Sequence, residues 1–335
     1  MLTKNKNNQV QRSTKHLQVY RHVKAFLNRH KILKQKKIVA VSGGVDSMVL
    51  FFVLAEIAKQ EQLEIPLPIY IAHQQRKQVD EKKDIELIQV LLQNYKLDLC
   101  VKQLNVSSQI LSEEKLRSLR QKALLEYAKE EQSQCILSGH HLDDQIESFF
   151  IRLFSGTHFQ GLSGMSEFSG KCFYKPFLNL SKQTLLSVAK DNGLLFNVDT
   201  SNLSTDFTRN HIRNVLLPLL SAQYGNKYKA NVLEFMQDCK DVTQYLAMDL
   251  NHMLALSALQ EEEFLREPLL KFSDLQIKFF LNYVFNKKDK SLNGDQLNKM
   301  LHLFRKGQGS YCLTNKTVYR VCEKKISIKH DACST

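Results

Sequence analysis

The segment Ser42-Gly43-Gly44-Val45-Asp46-Ser47 has residue types and spacing suited to binding phosphate. Its two glycines let the backbone approach a ligand closely, and its two serines add hydroxyl groups. It follows an apolar run, Ile38–Val41, and precedes a helical pattern, so it places backbone N–H groups at a helix start. The segment therefore predicts a phosphate-binding loop. The simpler alternative is a Gly-Gly turn followed by an aspartate helix cap.

A second segment, Ser138-Gly139-His140-His141-Leu142-Asp143-Asp144-Gln145, combines imidazoles with carboxylates. Carboxylate oxygens are the ligands that Mg²⁺ prefers, and one or two are enough when phosphates complete the coordination. Adjacent His and Asp side chains can also bind a metal. The alternative is that Asp143 only caps a helix.

Charged residues recur at helical spacing in two further segments. Glu113, Arg117 and Arg120 fall on one face of a predicted helix, although an exposed, salt-bridged face would give the same pattern. Arg209 and Arg213 are four residues apart, and two like charges at this spacing cost helix stability. The second pair is therefore expected to face a phosphate or a carboxylate.

The elements that must position these residues alternate between strand and helix. Apolar runs predict strands, and helical periodicity predicts the helices between them. The predicted strands are 38–41, 69–72, 97–101 and 135–137, and the predicted helices are 81–94, 113–130 and 143–154. This order predicts an α/β fold with a doubly wound, mostly parallel sheet. Ligands bind outside the carboxyl ends of such strands, so the two loops are expected to share one site.

The chain is expected to contain three segments. Residues 1–35 form a basic arm and a helix, and residues 36–220 form the α/β domain that carries both loops. Residues 221–335 form a smaller, mostly helical domain, with helices in 228–286 and 294–306 and β-like segments near 311–313 and 317–321.

The charge balance favours a polyanionic partner. The 335 residues include 47 Lys and Arg against 34 Asp and Glu, a net charge of +13, and residues 1–40 contain no acid. Nucleic acid is the partner this excess favours, although a solvated surface is the alternative. None of the seven cysteines forms a Cys-x-x-Cys pair, which argues against zinc and iron–sulfur sites and favours a reducing compartment. No apolar stretch reaches the 20 or so residues of a membrane helix, and no secretory signal is evident.

Taken together, the motifs resemble those of the tRNA(Ile)-lysidine synthetases, which belong to the N-type ATP pyrophosphatases. The resemblance covers about residues 36–220 and weakens after that. The matching segments, in family order, are Ser42–Ser47, His73 with Arg76, Glu113/Arg117/Arg120, Gly139–Glu147, Arg152-Leu153 with Gly161–Met165, and Asp199–Pro218. Val45, Gln74-Gln75 and Gln121 depart from the usual residues, but none removes a charged group. The resemblance implies that residues 36–220 are the ATP-pyrophosphatase catalytic domain and that residues 221–335 are a tRNA-binding extension. This extension is expected to be short, without a full second module.

The resemblance implies an adenine nucleotide alpha hydrolase-like fold and a two-step reaction. ATP would adenylate O2 of cytidine 34 in the CAU anticodon of tRNA(Ile), and the ε-amine of free L-lysine would then attack C2 and expel AMP. It also implies site residues. Those for the nucleotide are Ser42, Gly43, Gly44, Val45, Asp46, Ser47 and His140. Those for catalysis are Asp46, Asp143, Asp144, Arg117 and Arg209. Those for tRNA or lysine are Arg76, Glu113, Arg120 and Arg213, and those for Mg²⁺ are Asp46 and Asp143.

Three other functions stay open from the sequence. A tRNA thiolase of the same superfamily usually carries Cys-x-x-Cys pairs, and a small-molecule ligase has less reason for a net charge of +13. The third is a non-catalytic RNA-binding protein, against which the intact loop and both arginine pairs argue. The bacterial cytoplasm is the expected compartment, with the plastid stroma as the alternative. No membrane association is expected, and a homodimer is a candidate oligomeric state.

Overall fold

The fold is described from a computed structural model in which the chain forms two compact units. The residues that it describes are 14–73, 78–104, 113–170, 172–197, 208–260, 263–287, 292–313 and 317–330. Of these, the residues from 14 to 145 and from 165 to 197 make up the first unit, and the others make up the second.

The first unit contains alternating helices and strands. In chain order they are α1 (Thr14–Arg29), β1 (Ile38–Val41), α2 (Val45–Gln60), β2 (Leu67–His73), α3 (Gln78–Gln93), β3 (Cys100–Leu104), α4 (Glu113–Glu130), β4 (Ile136–Leu137), the start of α5 (Leu142–Phe154), β5 (Phe168–Ser169), β6 (Phe173–Tyr174) and α6 (Lys182–Asp191).

The strands form one six-stranded sheet with the order β3-β2-β1-β4-β6-β5. All neighbours are parallel except β5, which runs antiparallel to β6. The chain moves outward from β1 to β3 on one side and then returns to place β4 on the other side of β1. Strand order therefore reverses between β1 and β4, and ligands bind at such a reversal in open α/β sheets. The predicted doubly wound, mostly parallel sheet is confirmed.

Both faces of the sheet are covered by helices. Successive side chains of a strand point in opposite directions, so each face buries different residues. Val39 and Val41 of β1 pack with residues of α1, α2, α3 and α6. Ile38 of the same strand packs on the other face, with Leu124 and Tyr127 of α4. Burial on both faces explains why β1 reads as an unbroken apolar run.

Strand β3 begins three residues later than the sequence predicts. Leu97 and Leu99 pack, partly buried, against the core beneath α2 and α3, so their hydrophobicity reflects the connection before the strand. Lys96 has a φ of +55° in the turn that follows α3. The short apolar run carried no signal that separates a buried connection from a buried strand.

The second unit is mostly helical, as predicted, and also contains a four-stranded sheet. After the end of α5, its elements are α7 (Thr208–His211), a π-helix (Ile212–Leu216), α8 (Leu217–Tyr224), α9 (Lys227–Ser257), β7 (Glu263–Leu265), α10 (Asp274–Asn286), α11 (Gly294–Lys306), β8 (Gly309–Leu313), β9 (Thr317–Val321) and β10 (Lys325–His330).

The antiparallel sheet of the second unit has the order β7-β10-β9-β8. The sequence predicts β8 and β9 but neither β7 nor β10. The helices α10 and α11 each begin with a capping box, at Ser273 and Asn293, and α11 ends at Gly307, whose φ is +81°. These local signals made the second of these helices predictable. Helices and sheet share a core that includes Phe280, Phe304 and Tyr319.

The two compact units are defined by packing, whereas the predicted segments 1–35, 36–220 and 221–335 were defined by role. Helix α1 packs on α2 and α6 in the first unit. Residues 146–164 pack with the second unit. The three functional segments stay a prediction. No helix in the described part of the chain combines the length and apolarity needed to cross a membrane.

Glu167 ties the end of α1 to the turn before β5. Its carboxylate accepts hydrogen bonds from Arg29 Nη2 at 2.7 Å, His30 Nε2 at 3.2 Å and Asn179 Nδ2 at 3.3 Å. Burial acts to raise the pKa of Glu167, but the hydrogen bonds from His30 and Arg29 outweigh it. The pKa therefore lies below its usual value of 4.5.

A carboxyl whose pKa is lowered by folding stabilises the folded state above its unfolded pKa and loses this effect as the pH falls through its folded pKa. We expect Glu167→Gln to lower the free energy of unfolding by about 0.5–1 kcal/mol at pH 7, the range for partly exposed ion pairs. The difference from the unmodified protein should shrink below about pH 4.5. Urea unfolding from pH 7 to pH 3 measures this, and a difference that grows toward acid would contradict it.

Candidate active site

The loop between β1 and α2 forms an open cradle of backbone N–H groups. Ser42 N–H donates to Ser47 Oγ at 3.0 Å, and Ser47 Oγ donates to the Gly44 carbonyl at 3.0 Å. Among the described residues, no side chain caps the start of α2 at Gly44. The first-turn N–H groups therefore remain available to a ligand, with the positive end of the helix dipole behind them. This geometry suits a phosphate.

The second residue of the loop must be a glycine. Gly43 has a φ of +75°, and a Cβ placed on it would lie 2.7 Å from Oδ1 of Asp84. Asp84 is fully buried and accepts hydrogen bonds from Tyr70 Oη at 3.2 Å and from Asn197 Nδ2 at 2.9 Å. Asn197 also donates its backbone N–H to the Gly43 carbonyl at 2.9 Å. Asp84 and Asn197 thus hold the loop in position through their contacts with Gly43.

A second glycine brings the loop after β4 against the first loop. A Cβ on Gly139 would lie 2.9 Å from the carbonyl carbon of Asp46 and 3.1 Å from the backbone nitrogen of Ser47. Both neighbours are backbone atoms, which cannot rotate away. The prediction that the two loops meet is therefore supported directly by backbone packing in the first unit.

Three carboxylates surround the buried side chain of His141. Its Nε2 lies 3.6 Å from Oδ1 of Asp46 and 3.6 Å from Oδ2 of Asp144, and its Nδ1 lies 3.9 Å from Oδ2 of Asp143. Asp144 accepts the His141 backbone N–H at 2.9 Å, as a helix cap would. Asp143 accepts the Lys182 backbone N–H at 2.7 Å. Both aspartates therefore have structural roles at the starts of α5 and α6.

Lys182 provides the positive charge in this group. Its Nζ lies 2.6 Å and 2.8 Å from the two carboxylate oxygens of Asp46. The lysine side chain is 39% exposed and that of Asp46 is 26% exposed, so a ligand can reach both. An ammonium in this position can pair either with Asp46 or with an incoming phosphate.

A separate charged cluster lies in the second unit, around Glu147, which is one helical turn after Asp143 on α5. Glu147 is only 2% exposed, and its carboxylate accepts two hydrogen bonds from Arg213, at 2.6 Å and 2.7 Å. Nε of Arg209 lies 4.0 Å from the same carboxylate, and its Nη2 contacts Ser148 Oγ at 3.5 Å. Glu147 thus compensates the like-charge pair noted in the sequence. Arg213 lies within a π-helical segment, a rare geometry that is frequent at functional sites.

The remaining predicted residues are placed as follows. His140 Nδ1 lies 3.0 Å from Ser138 Oγ. Arg117 and Arg120 are exposed on α4, and Arg117 is close enough to Lys175 to help burial lower the pKa of that lysine. Glu113 begins α4, but its side chain is outside the described residues, and Arg76 lies outside them altogether. The catalytic and binding roles assigned to these residues stay predictions.

The sequence predicts no role for Lys182 or Asp84, and it includes His141 only as part of the segment Ser138–Gln145. Lys182 and Asp46 are 136 positions apart, and no spacing rule connects them. Asp84 did leave a signal, because it continues the buried face of α3 that carries Ile88 and Leu92. A carboxylate on the apolar face of a helix needs polar partners, which here are Tyr70 and Asn197.

A comparison with protein-family models gives a match to the PP-loop domain over residues 14–220, which is more than half of the chain. The chain belongs to the PP-loop domain family. The match extends from α1 through the π-helix to α8. The loop Ser42–Ser47 is called the PP-loop below. Family membership implies that the protein uses ATP.

Three curated relatives are each called a tRNA(Ile)-lysidine synthase. The protein from Oceanobacillus iheyensis is 26% identical and the alignment covers 85% of this chain and 65% of that relative. The protein from Bacillus subtilis is 28% identical, with 83% and 62% covered. The protein from Buchnera aphidicola subsp. Acyrthosiphon pisum is 33% identical, and the alignment covers 73% of this chain and 53% of that relative. The resemblance inferred from the motifs is confirmed. The chain spans less than two thirds of the length of these relatives.

A solved structure supports the fold of the PP-loop protein. The U34-tRNA thiolase NcsA from Methanococcus maripaludis, solved with its [4Fe-4S] cluster, superimposes with a TM-score of 0.55 at 19% identity. The match covers 67% of this chain and 78% of that one. At this identity the likeness concerns the fold alone.

Replacing Gly43 with alanine tests the close packing behind the PP-loop. Gly193 is a matched control, because its φ is +61° and nothing lies within 4 Å of the Cβ that it would gain. We expect Gly193→Ala to cost about 1–2 kcal/mol from the left-handed backbone alone. Gly43→Ala should cost about 1–3 kcal/mol more, because the new Cβ meets Asp84.

The measurements are urea unfolding and equilibrium binding of ATP. We expect Gly43→Ala to weaken ATP binding at least tenfold, since the displaced loop no longer aims its N–H groups at one point. Gly193→Ala should bind ATP normally. Equal effects of the two substitutions on ATP binding would show that the contact with Asp84 does not shape the loop.

Removal of Arg213 tests the buried ion pair. Arg213→Ala takes the bidentate partner from a carboxylate that is 2% exposed. Breaking a fully buried pair on one side destabilises by about 3–5 kcal/mol. Because Arg213 is 34% exposed and Arg209 stays 4.0 Å from the carboxylate, we expect a loss near the lower end of this range. Lys299→Ala is the control, because Lys299 and Asp295 form a 2.7 Å pair with both side chains more than half exposed, a kind worth at most about 1 kcal/mol.

Chemical unfolding of the two single variants and of the double variant Arg213→Ala/Glu147→Gln gives the comparison. The double variant should recover part of the loss, because the carboxylate that lost its partner is then uncharged. A loss for Arg213→Ala no larger than that for Lys299→Ala would rule out an energetically important pair.

Proposed function

We propose that this protein is a tRNA(Ile)-lysidine synthetase, which joins free L-lysine to cytidine 34 of a tRNA(Ile) with a CAU anticodon. ATP adenylates O2 of cytidine 34, so that diphosphate leaves. The ε-amine of lysine then attacks C2, and AMP leaves. The names of the curated relatives support this assignment, and the contact of Gly139 with the backbone of the PP-loop is the structural observation that carries it.

The PP-loop would hold the phosphates of ATP. The uncapped N–H groups at the start of α2 suit the diphosphate that departs in the first step, and charge builds up there as it leaves. Ser42 and Ser47 add hydroxyl groups, which lie 3.1 Å apart across the mouth of the loop. This part of the site acts by positioning and by charge stabilisation.

Asp46 and Lys182 would exchange partners when the nucleotide binds. In the absence of a ligand each neutralises the other. A phosphate close to Lys182 would compete for its ammonium and leave the Asp46 carboxylate to interact with a cation of the substrate complex. In the second step the attacking amine must lose a proton, and Asp46, Asp143 or Asp144 could accept it.

Mg²⁺ would fit this site only if substrate phosphates supply part of its coordination. Within the described part of the chain, no group of three or more His, Cys, Asp or Glu side chains is arranged to hold a metal ion. One or two carboxylates plus phosphate oxygens are enough for Mg²⁺, and Asp46 and Asp143 would provide the carboxylates. The ion would supply neutralisation of phosphate charge.

The polyanionic partner would be tRNA. The net charge of +13 and the acid-free residues 1–40 support this partner. We propose that the arginines of the site contact tRNA phosphates, namely Arg117, Arg120, Arg209 and Arg213. The proposal also includes lysine as the nucleophile, a homodimeric assembly and action in the cytoplasm.

The experiment is incorporation of labelled lysine into a tRNA(Ile) transcript with a CAU anticodon, in the presence of ATP and Mg²⁺. A transcript with uridine in place of cytidine 34 is the control. We expect label that depends on ATP and on cytidine 34. If ATP is cleaved to AMP but no label enters the tRNA, the PP-loop chemistry stands and the proposed substrates are wrong.

We expect Asp46→Ala to abolish adenylation, because it removes the carboxylate nearest the first turn of α2, while tRNA binding stays nearly intact. Lys182→Met should also lower kcat, by about tenfold to a hundredfold, since one charge on the developing diphosphate is then unmatched. Both are measured by release of diphosphate in a single turnover, with filter binding of tRNA alongside. Normal turnover in Asp46→Ala would remove this residue from the mechanism.

A further inference from the structure

A cleft in the second unit has the chemistry of a nucleobase site and lies outside the PP-loop. It is formed by α5, α8 and α9, has a volume of about 430 Å³ and is lined by aromatic and polar side chains. Phe150, Leu220 and Tyr228 provide apolar surface, and Tyr224, Lys227 and Asn231 stand at its exposed side. The volume lies in the range of small-molecule sites, about 300–1,000 Å³.

The aromatic groups of the cleft differ in burial. Tyr228 is 7% exposed, and its hydroxyl donates to the Leu217 carbonyl at 3.5 Å, so it forms a fixed wall. Tyr224 is 63% exposed at the end of α8, next to the turn at Gly225, whose φ is +61°. A large exposed tyrosine beside a fixed aromatic wall is the arrangement on which single-stranded bases stack.

The charge around the cleft selects a polyanion. Residues 207–233 contain four Lys and Arg and no Asp or Glu, and this stretch provides most of the lining. Lys227 and Asn231 are one helical turn apart on α9, so a phosphate contact and an amide that can read a base edge lie side by side. An acidic peptide would match the charge but would leave the paired aromatic surfaces unused.

The same elements carry the ion pair described above. Phe150 is one turn beyond Glu147 on α5, and α8 directly follows the π-helix that carries Arg213. The cleft therefore continues the charged surface of the second unit. An enzyme that acts on O2 and C2 of a cytosine must take that base out of the stack, which leaves its neighbours without stacking partners.

We propose that this cleft binds one unstacked base of the anticodon loop, a neighbour of the modified cytidine, with Tyr224 stacked on the base and Lys227 on its phosphate. This inference rests on the proposed function. It assigns to α8 and α9 a substrate contact that the PP-loop does not make, and it makes Tyr224 a determinant of tRNA affinity.

The test compares Tyr224→Ala with Tyr245→Ala, since Tyr245 is also on the surface of the second unit, 67% exposed, and does not line the cleft. Lysine incorporation is measured against tRNA concentration. We expect Tyr224→Ala to raise KM for tRNA about 5- to 100-fold, the effect of losing one base stack, with kcat at saturating tRNA and the affinity for ATP unchanged. Tyr224→Phe should restore KM, and Tyr245→Ala should behave as the unmodified protein.

A direct readout uses anticodon stem-loops with 2-aminopurine at one position on either side of cytidine 34. Stacking on Tyr224 should quench the fluorescence at one of these positions, and Tyr224→Ala should abolish the quenching. Lys227→Met should instead weaken binding at every sequence and reduce the salt dependence by about one counterion. These binding measurements need no turnover, so they distinguish a failed cleft from a failed proposed function.

The inference is overturned if the unmodified protein incorporates lysine while Tyr224→Ala matches Tyr245→Ala in KM and in quenching. It is also overturned if Tyr224→Ala and Lys227→Met change the oligomeric state but leave tRNA affinity intact, because the cleft would then bind a second copy of the chain. Absence of lysine incorporation in the unmodified protein, with quenching still dependent on Tyr224, would support the cleft and reject the proposed reaction.

Discussion

The close approach of Gly139 to the backbone of Asp46 is the constraint on which the candidate active site depends. Strand order reverses between β1 and β4, and only there can the loops after two adjacent parallel strands diverge to opposite sides and leave a crevice. The missing Cβ at Gly139 lets the loop after β4 lie against the loop after β1. Their contact sets the distance between the phosphate cradle and the carboxylates that follow it.

The charges of the first unit are arranged for exchange with a substrate. Three aspartates surround His141, which is almost completely buried, and Lys182 pairs with one of them, Asp46. Two of the aspartates are committed to backbone N–H groups, at His141 and Lys182, which fixes their orientation. The third, Asp46, pairs among the described residues with Lys182, whose side chain is 39% exposed and can be displaced by a ligand. Asp143 and Asp144 therefore fix the shape of the site, whereas Asp46 can change its partner when a ligand binds.

Much of the fold could be predicted because it follows from local signals. An apolar run, two glycines and a helical pattern place β1, the PP-loop and α2 in order, and the capping residue Asn293 with Gly307 marks both ends of α11. The partners of the loop could not be predicted in this way. Lys182 reaches Asp46 across 136 positions, and Asp84 supports Gly43 from another helix, so each contact exists only once the sheet has assembled. β10 was missed because its alternating residues lie among lysines near the end of a basic stretch, and only pairing with β7 and β9 defines it.

The pair of Glu147 and Arg213 is difficult to explain as a device for stability. A buried ion pair gains little over apolar residues of the same size, because desolvation of both charges offsets their attraction. Its value lies in direction: two hydrogen bonds of 2.6 Å and 2.7 Å fix the plane of the guanidinium, and Arg209 is drawn to the same carboxylate. A fixed guanidinium loses less conformational freedom when it meets an anion than a mobile one does. The carboxylate thus keeps two like charges together, Arg209 in α7 and Arg213 in the π-helical segment that follows it.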